Sequence, residues 1–77
     1  MVKVKLYGTL RRFSQKDTPG IWVGEPPLNS TVTDLIGIIG SKPNEVAVAS
    51  INGEVCPFDT VVPDGAEVML ATHIGAG

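Results

Sequence analysis

Val2, Val4 and Leu6 alternate with Lys3, Lys5 and Tyr7, the two-residue period of a strand with one buried face. Gly8 ends that period, and Thr9-Leu-Arg-Arg-Phe13 reads as a connection with Leu10 and Phe13 as its anchors. Asp17-Thr-Pro-Gly20 is a turn, because proline fixes φ and glycine admits φ > 0. Ile21-Trp-Val23 follows as a second strand that ends before Pro26-Pro27, and the two strands form a hairpin with a long loop. The helical signal comes next. Thr31 is an N-cap, with Asp34 three residues on in a capping-box arrangement, Asp standing where Glu is usual. Val32, Leu35, Ile36 and Ile39 fall at i, i+3, i+4 and i+7 and make one apolar face, and Gly40 is the stop. Gly37 inside the helix costs about 1 kcal/mol relative to alanine. A helix this short must therefore be held by packing rather than by propensity.

Ser41-Lys-Pro-Asn44 is a loop, and Val46 to Ile51 is an apolar run of buried-strand length. Asn52-Gly53 is the strongest hairpin signal, since a type I′ turn needs φ > 0 at both positions. Glu54-Val-Cys56 is then a short return strand closed by Pro57, and Asp64-Gly65 is another turn. Glu67 to His73 is the last strand, with Val68 and Leu70 on one face and Met69 and Ala71 on the other. Apolar residues on both faces predict a central position in the sheet. The order strand, strand, helix, strand, short strand, strand predicts an α+β fold of β-grasp (ubiquitin-like) type. It is a mixed sheet of about five strands curled around one main helix, with the first and last strands adjacent and parallel. Residues 1–72 form that domain and residues 73–77 a flexible C-terminal tail.

Composition narrows the picture. The 77 residues make one domain with a modest core, and 43% hydrophobic against 18% charged residues suits a folded globule. A formal charge of −2 argues against a general nucleic-acid binder. Cys56 is the only cysteine, so no internal disulfide and no cysteine-ligated metal set is available. The first residues form neither a signal peptide nor a membrane span, which makes the cytoplasm the expected location.

Candidate chemistry gathers at the end of the chain. Ile74-Gly75-Ala76-Gly77 is a slim arm with Gly77 last, read as carrying a free α-carboxylate. Fully extended, the arm spans at most ~14 Å, at ~3.5 Å per residue. A thin arm ending in a carboxylate suits insertion into a narrow enzyme tunnel. His73, just before it, is a partner contact or a plain surface residue, and alone it makes no metal site. Met69 and Ala71 are core or an apolar patch shown to partners. Arg11 and Arg12, with Lys3 and Lys5, form a small basic cluster that is either a solvated face or a dock for an acidic partner patch. Cys56 reads as a small buried hydrophobe. No nucleophile–base pair, phosphate loop or metal set is visible, so no residue is assigned a catalytic role.

Four pieces, in this order and spacing, carry a resemblance over nearly the whole length: Tyr7-Gly-Thr-Leu-Arg-Arg-Phe13 after the first strand, Thr31-Val-Thr-Asp-Leu35 opening the helix, Ile51-Asn-Gly-Glu-Val55, and Val62-Pro-Asp-Gly-Ala-Glu-Val68 leading to the small-residue tail. The chain resembles the ubiquitin-like sulfur carriers: the small subunit of molybdopterin synthase, the thiamine-pathway sulfur carrier and their relatives. The resemblance implies a carrier protein, not an enzyme. An adenylating enzyme of the ubiquitin-activating type converts the Gly77 carboxylate to an acyl-adenylate, and sulfur displaces AMP to leave a thiocarboxylate. A synthase large subunit then uses that sulfur in molybdopterin (molybdenum/tungsten cofactor) biosynthesis. No cofactor is bound, the modification is transient, and neither nucleic acid nor membrane is a partner. Gly75 and Ala76 thread the partner's channel, with His73, Ile74, Met69, Ala71, Arg11 and Arg12 as partner contacts. The family ends in Gly-Gly, whereas here the penultimate residue, Ala76, carries a methyl. The alternatives are a thiamine-pathway carrier, or a β-grasp interaction module or ubiquitin-like protein modifier without sulfur transfer.

Overall fold

The alternation at the start of the chain folds as β1 (Val2–Leu6), with Val2, Val4 and Leu6 buried. The structure, a computed structural model, describes residues 1–15 and 17–72. β2 (Ile21–Gly24) pairs antiparallel with β1, Lys5 opposite Ile21 and Val2 opposite Gly24. The outer edge of β2 is not left open. The Gln15 backbone N–H donates to the Ile21 carbonyl at 3.1 Å, and the Gln15 side-chain amide donates to the Val23 carbonyl at 2.7 Å. Covering an edge in this way removes a template for strand addition.

The helix α1 (Val32–Ile39) has the capping box the sequence predicts. The Asp34 N–H donates to Thr31 Oγ1 at 3.2 Å, and the Thr31 N–H donates to Asp34 Oδ2 at 3.0 Å. Gly40 ends the helix in the left-handed region, φ +111°. Val32, Leu35, Ile36 and Ile39 are all buried. Gly37 lies on the exposed side, where an added methyl meets no atom within 4 Å. Gly37→Ala therefore raises stability by about 0.5–1 kcal/mol, seen as a higher urea midpoint at an unchanged slope.

β3 (Val48–Ile51) and β4 (Glu54–Val55) form the predicted hairpin, with Asn52 at φ +51° and Gly53 at φ +89°. β5 (Glu67–Ala71) lies between β1, to which it is parallel, and β3, to which it is antiparallel. The sheet order is β2-β1-β5-β3-β4. The result is a mixed five-stranded sheet with one main helix, an α+β fold compatible with a β-grasp. Val4, Leu6, Val68 and Leu70 from the sheet meet Val32, Leu35 and Ile36 from α1 in one core.

Two strands are shorter than the sequence predicts: β4 stops at Val55 rather than Cys56, and β5 stops at Ala71, before the expected His73. Two further segments differ from the sequence expectation. The connection after Gly8 is a 3₁₀ helix, Gly8–Phe13, that buries Leu10 and half-buries Phe13. The apolar run is strand only from Val48. Val46 is still buried, and the Ala47 N–H donates to the Ala71 carbonyl at 2.8 Å, prolonging the β3–β5 contact. Among the described residues, no helix is long and apolar enough to cross a membrane.

Candidate partner-docking surface

Side chains of adjacent strand residues point to opposite faces, so the core residues of β5 fix which of its neighbours face away from α1. Val68 and Leu70 point to the core, which leaves Met69 and Ala71 on the open face. Across the sheet, Met69 pairs with Lys5 on one side and Ser50 on the other, and Ala71 pairs with Val48. The same register brings Ile21 beside Lys5, Val23 beside Lys3 and Val55 beside Ser50. The open face is thus a mixed surface: Met69, Ala71 and Val48 at its centre, Ile21 and Val23 beyond the two lysines. Of these, only Val55 is largely exposed; Met69, Ala71, Val48, Ile21 and Val23 are half-buried by one another's neighbours.

Charge on this face is partly neutralised. Lys5 Nζ lies 3.0 Å from Glu67 Oε1. That hydrogen bond raises the Lys5 amine above its ordinary value and holds the Glu67 carboxyl below the usual range.

The basic cluster expected from sequence is parted in space. Arg11 and Lys5 line one shallow groove of about 270 Å³ together with Tyr7, Pro19, Gly20 and Ile21. Arg12 faces elsewhere. Its guanidinium donates to the Thr9 carbonyl at 2.9 Å, pairs with the Glu45 carboxylate and lies 4.3 Å from the centre of the Phe13 ring. Arg12 thereby ties the 3₁₀ helix to the turn at Pro43–Glu45. The Arg12 hydrogen bond, then one from Ser41 Oγ at 3.0 Å, holds the Glu45 carboxyl below its ordinary range. A depressed carboxyl contributes stability above the ordinary carboxylate range and loses it as pH falls through the depressed value. The stability gap between wild type and Glu45→Gln is therefore widest near neutral pH and narrows on acidification, read from melting temperatures across that range.

Thr72 is the last described residue before the tail. The Tyr7 N–H donates to the Leu70 carbonyl at 3.0 Å, which continues the β1–β5 contact to the end of β5. Gly8, at φ +64°, packs so closely on Thr72 that a Cβ there would overlap Thr72 Oγ1. Of the residues singled out from sequence, Met69, Ala71 and Arg11 lie at this side of the molecule, and Arg12 is turned to Glu45. His73, Ile74, Gly75, Ala76 and Gly77 lie outside the described residues. Cys56 is half-buried against the core, its N–H donating to the Ala49 carbonyl at 3.0 Å. Among the described residues, no group of three or more His, Cys, Asp or Glu side chains is placed to hold a metal ion.

Sequence reasoning did not mark Val48, Ile21 and Val23 as part of this face. The alternation rule finds them only once the strand register is known, since a strand's own sequence does not say which face is covered. Comparison with protein-family models, with curated proteins and with solved structures finds no match to this chain.

Proposed function

We propose that this chain is a sulfur carrier with a β-grasp fold, acting as substrate and donor rather than as catalyst. One observation carries the reading: β5 is the central strand, clamped by β1 and β3, and it ends at Ala71, directly before Thr72 and the glycine-rich tail. A tail that starts from the middle strand of the sheet has a fixed origin, and its small residues keep it slender beyond that origin. The open face beside β5 supplies apolar and basic groups for a partner to grip while the tail is inside it.

In the proposed cycle, a Gly77 carboxylate oxygen attacks the α-phosphorus of ATP and pyrophosphate leaves. Sulfur from a persulfide then attacks the Gly77 carbonyl carbon, and AMP leaves. A reductant thiol releases the remaining sulfur linkage, giving the thiocarboxylate. A synthase large subunit takes that sulfur for molybdopterin assembly in the cytoplasm. Ala76 restricts the partners to those whose channel accepts a methyl at that position.

The test is intact mass. The protein is incubated with ATP, a persulfide donor and the adenylating enzyme encoded in the same genome. The expected result is a mass gain equal to one oxygen replaced by sulfur, reversed by alkylation and hydrolysis. Absence of both the adenylate and the thiocarboxylate sinks the proposal and favours the second reading, an interaction module that uses the open face alone. That reading draws its support from Met69, Ala71 and Val48, which offer a docking surface whether or not the tail is activated.

A further inference from the structure

At the opposite end of the sheet, where β1 and β5 begin, lies a groove of about 310 Å³ with Met1, Leu28, Val61 and Pro63 among its lining residues. Six large hydrophobic residues are well exposed among the described residues, and three of them, Met1, Leu28 and Val61, meet here. Leu28 is the extreme case at 89% exposure. Single exposed apolar residues need no explanation, but several converging on one concavity mark an interaction site.

The local backbone is built to keep Leu28 out. Pro26 and Pro27 restrict the chain before it. The Ser30 N–H donates to the Pro27 carbonyl at 3.2 Å, closing a four-residue turn with Leu28 at its apex. Asn29 takes the left-handed conformation such a turn needs at its third position, φ +64°. Ser30 is buried; its hydroxyl also donates to the Pro27 carbonyl, at 2.6 Å, and its own carbonyl accepts from the Val62 N–H at 2.8 Å. The backbone that carries Leu28 is thus held by hydrogen bonds, and its side chain projects into solvent. Pre-ordering lowers the entropy cost of docking.

Charge selects among occupants. Glu25 and Asp64 stand on the rim, both well exposed, and none of the lining residues is Lys or Arg. The Met1 amine lies between them, near both carboxylates, and two carboxylates against one amine leave the rim net negative. A second copy of this chain would bring its own acidic rim against this one, which is unfavourable.

We propose that this pole is a second docking surface, for a partner protein segment that places an apolar side chain beside Leu28 and a neighbouring Lys or Arg against Glu25. Because the groove opens at the far end of the sheet from Thr72, the surface is available while the tail-bearing end is occupied. It stands whether or not Gly77 carries sulfur.

The probe is a library of short random peptides displayed on phage, selected on the immobilised full chain. The expected winners carry an apolar residue next to Lys or Arg. Synthesised singly, they bind wild type and lose at least about tenfold in affinity on Leu28→Ala and on Glu25→Lys. Ile38→Ala, exposed on the outer side of α1, leaves binding unchanged. Leu28 and Glu25 are solvent-exposed, so circular dichroism of both variants matches wild type. No enrichment, acidic winners, or winners that bind Leu28→Ala as tightly as wild type each overturn the proposal. A concentration-dependent dimer in sedimentation that Leu28→Ala abolishes also overturns it, assigning the surface to a second copy instead.

Discussion

Leu35→Ala is expected to lower the unfolding free energy by about 3 kcal/mol, the cost of lost transfer free energy plus the cavity left behind. Leu35 has no exposed surface and is among the largest fully buried side chains, central to the seam between α1 and the sheet. The loss matters because the whole is small. At ~0.05–0.15 kcal/mol per residue, a chain of this length has a total stability of roughly 4–12 kcal/mol. One methyl-branched side chain thus carries a large share of the margin. Urea unfolding at an unchanged slope is the measurement. Leu28→Ala is the matched control, the same chemical change at a position with almost no buried surface, and it should shift stability by less than about 0.5 kcal/mol. If the two variants unfold at the same midpoint, α1 is not packed on the sheet as described.

Much of this fold is legible in local chemistry. The alternation of β1, the capping box and apolar face of α1, and the Asn52-Gly53 turn each announce themselves within a few residues. Each is then found where expected. The central position of β5 is legible for a different reason: apolar residues on both faces suit a strand flanked on both sides, where side chains of the adjacent strands half-bury those on the open face. What is not legible depends on partners distant in sequence. The 3₁₀ helix at Gly8–Phe13 has no helical period; burial of Leu10 and the pairing of Arg12 with Glu45 hold it. The same pairing explains why Arg11 and Arg12, adjacent in sequence, serve different surfaces. Leu28 is the sharpest case. Nothing in Pro26-Pro-Leu-Asn29 says whether the leucine turns inward; hydrogen bonds from Ser30 to Pro27, and from Val62 back to Ser30, turn it outward. Of the candidate docking surface, the alternation rule finds Met69 and Ala71, while Val48, Ile21 and Val23 join them only through register.

If the chain is the sulfur carrier proposed above, removing Gly77 is expected to abolish thiocarboxylate formation while leaving the folded body as stable as before. The buried core among the described residues runs from Val2 to Leu70, and the deletion changes none of those side chains. The chemistry is far less forgiving. Losing one residue pulls the terminal carboxylate back by up to ~3.5 Å along an extended arm. Positioning a reacting group within a near-attack geometry is worth many orders of magnitude, and a displacement of about 1 Å alone costs roughly 100-fold. In the proposed cycle the adenylating enzyme fixes the α-phosphorus of ATP, which would not follow the shortened tail. Formation of the adenylate, followed as ATP–pyrophosphate exchange, should therefore fall by at least about 100-fold, with no new species in the intact mass. Ala76→Gly is the companion variant. It keeps the length and removes the methyl, so exchange proceeds at least as fast as in wild type. If Ala76→Gly is slower, the partner's channel recognises the methyl rather than merely accepting it. A chain lacking Gly77 that still exchanges at the wild-type rate removes the terminal carbonyl from the reaction, and the carrier proposal with it.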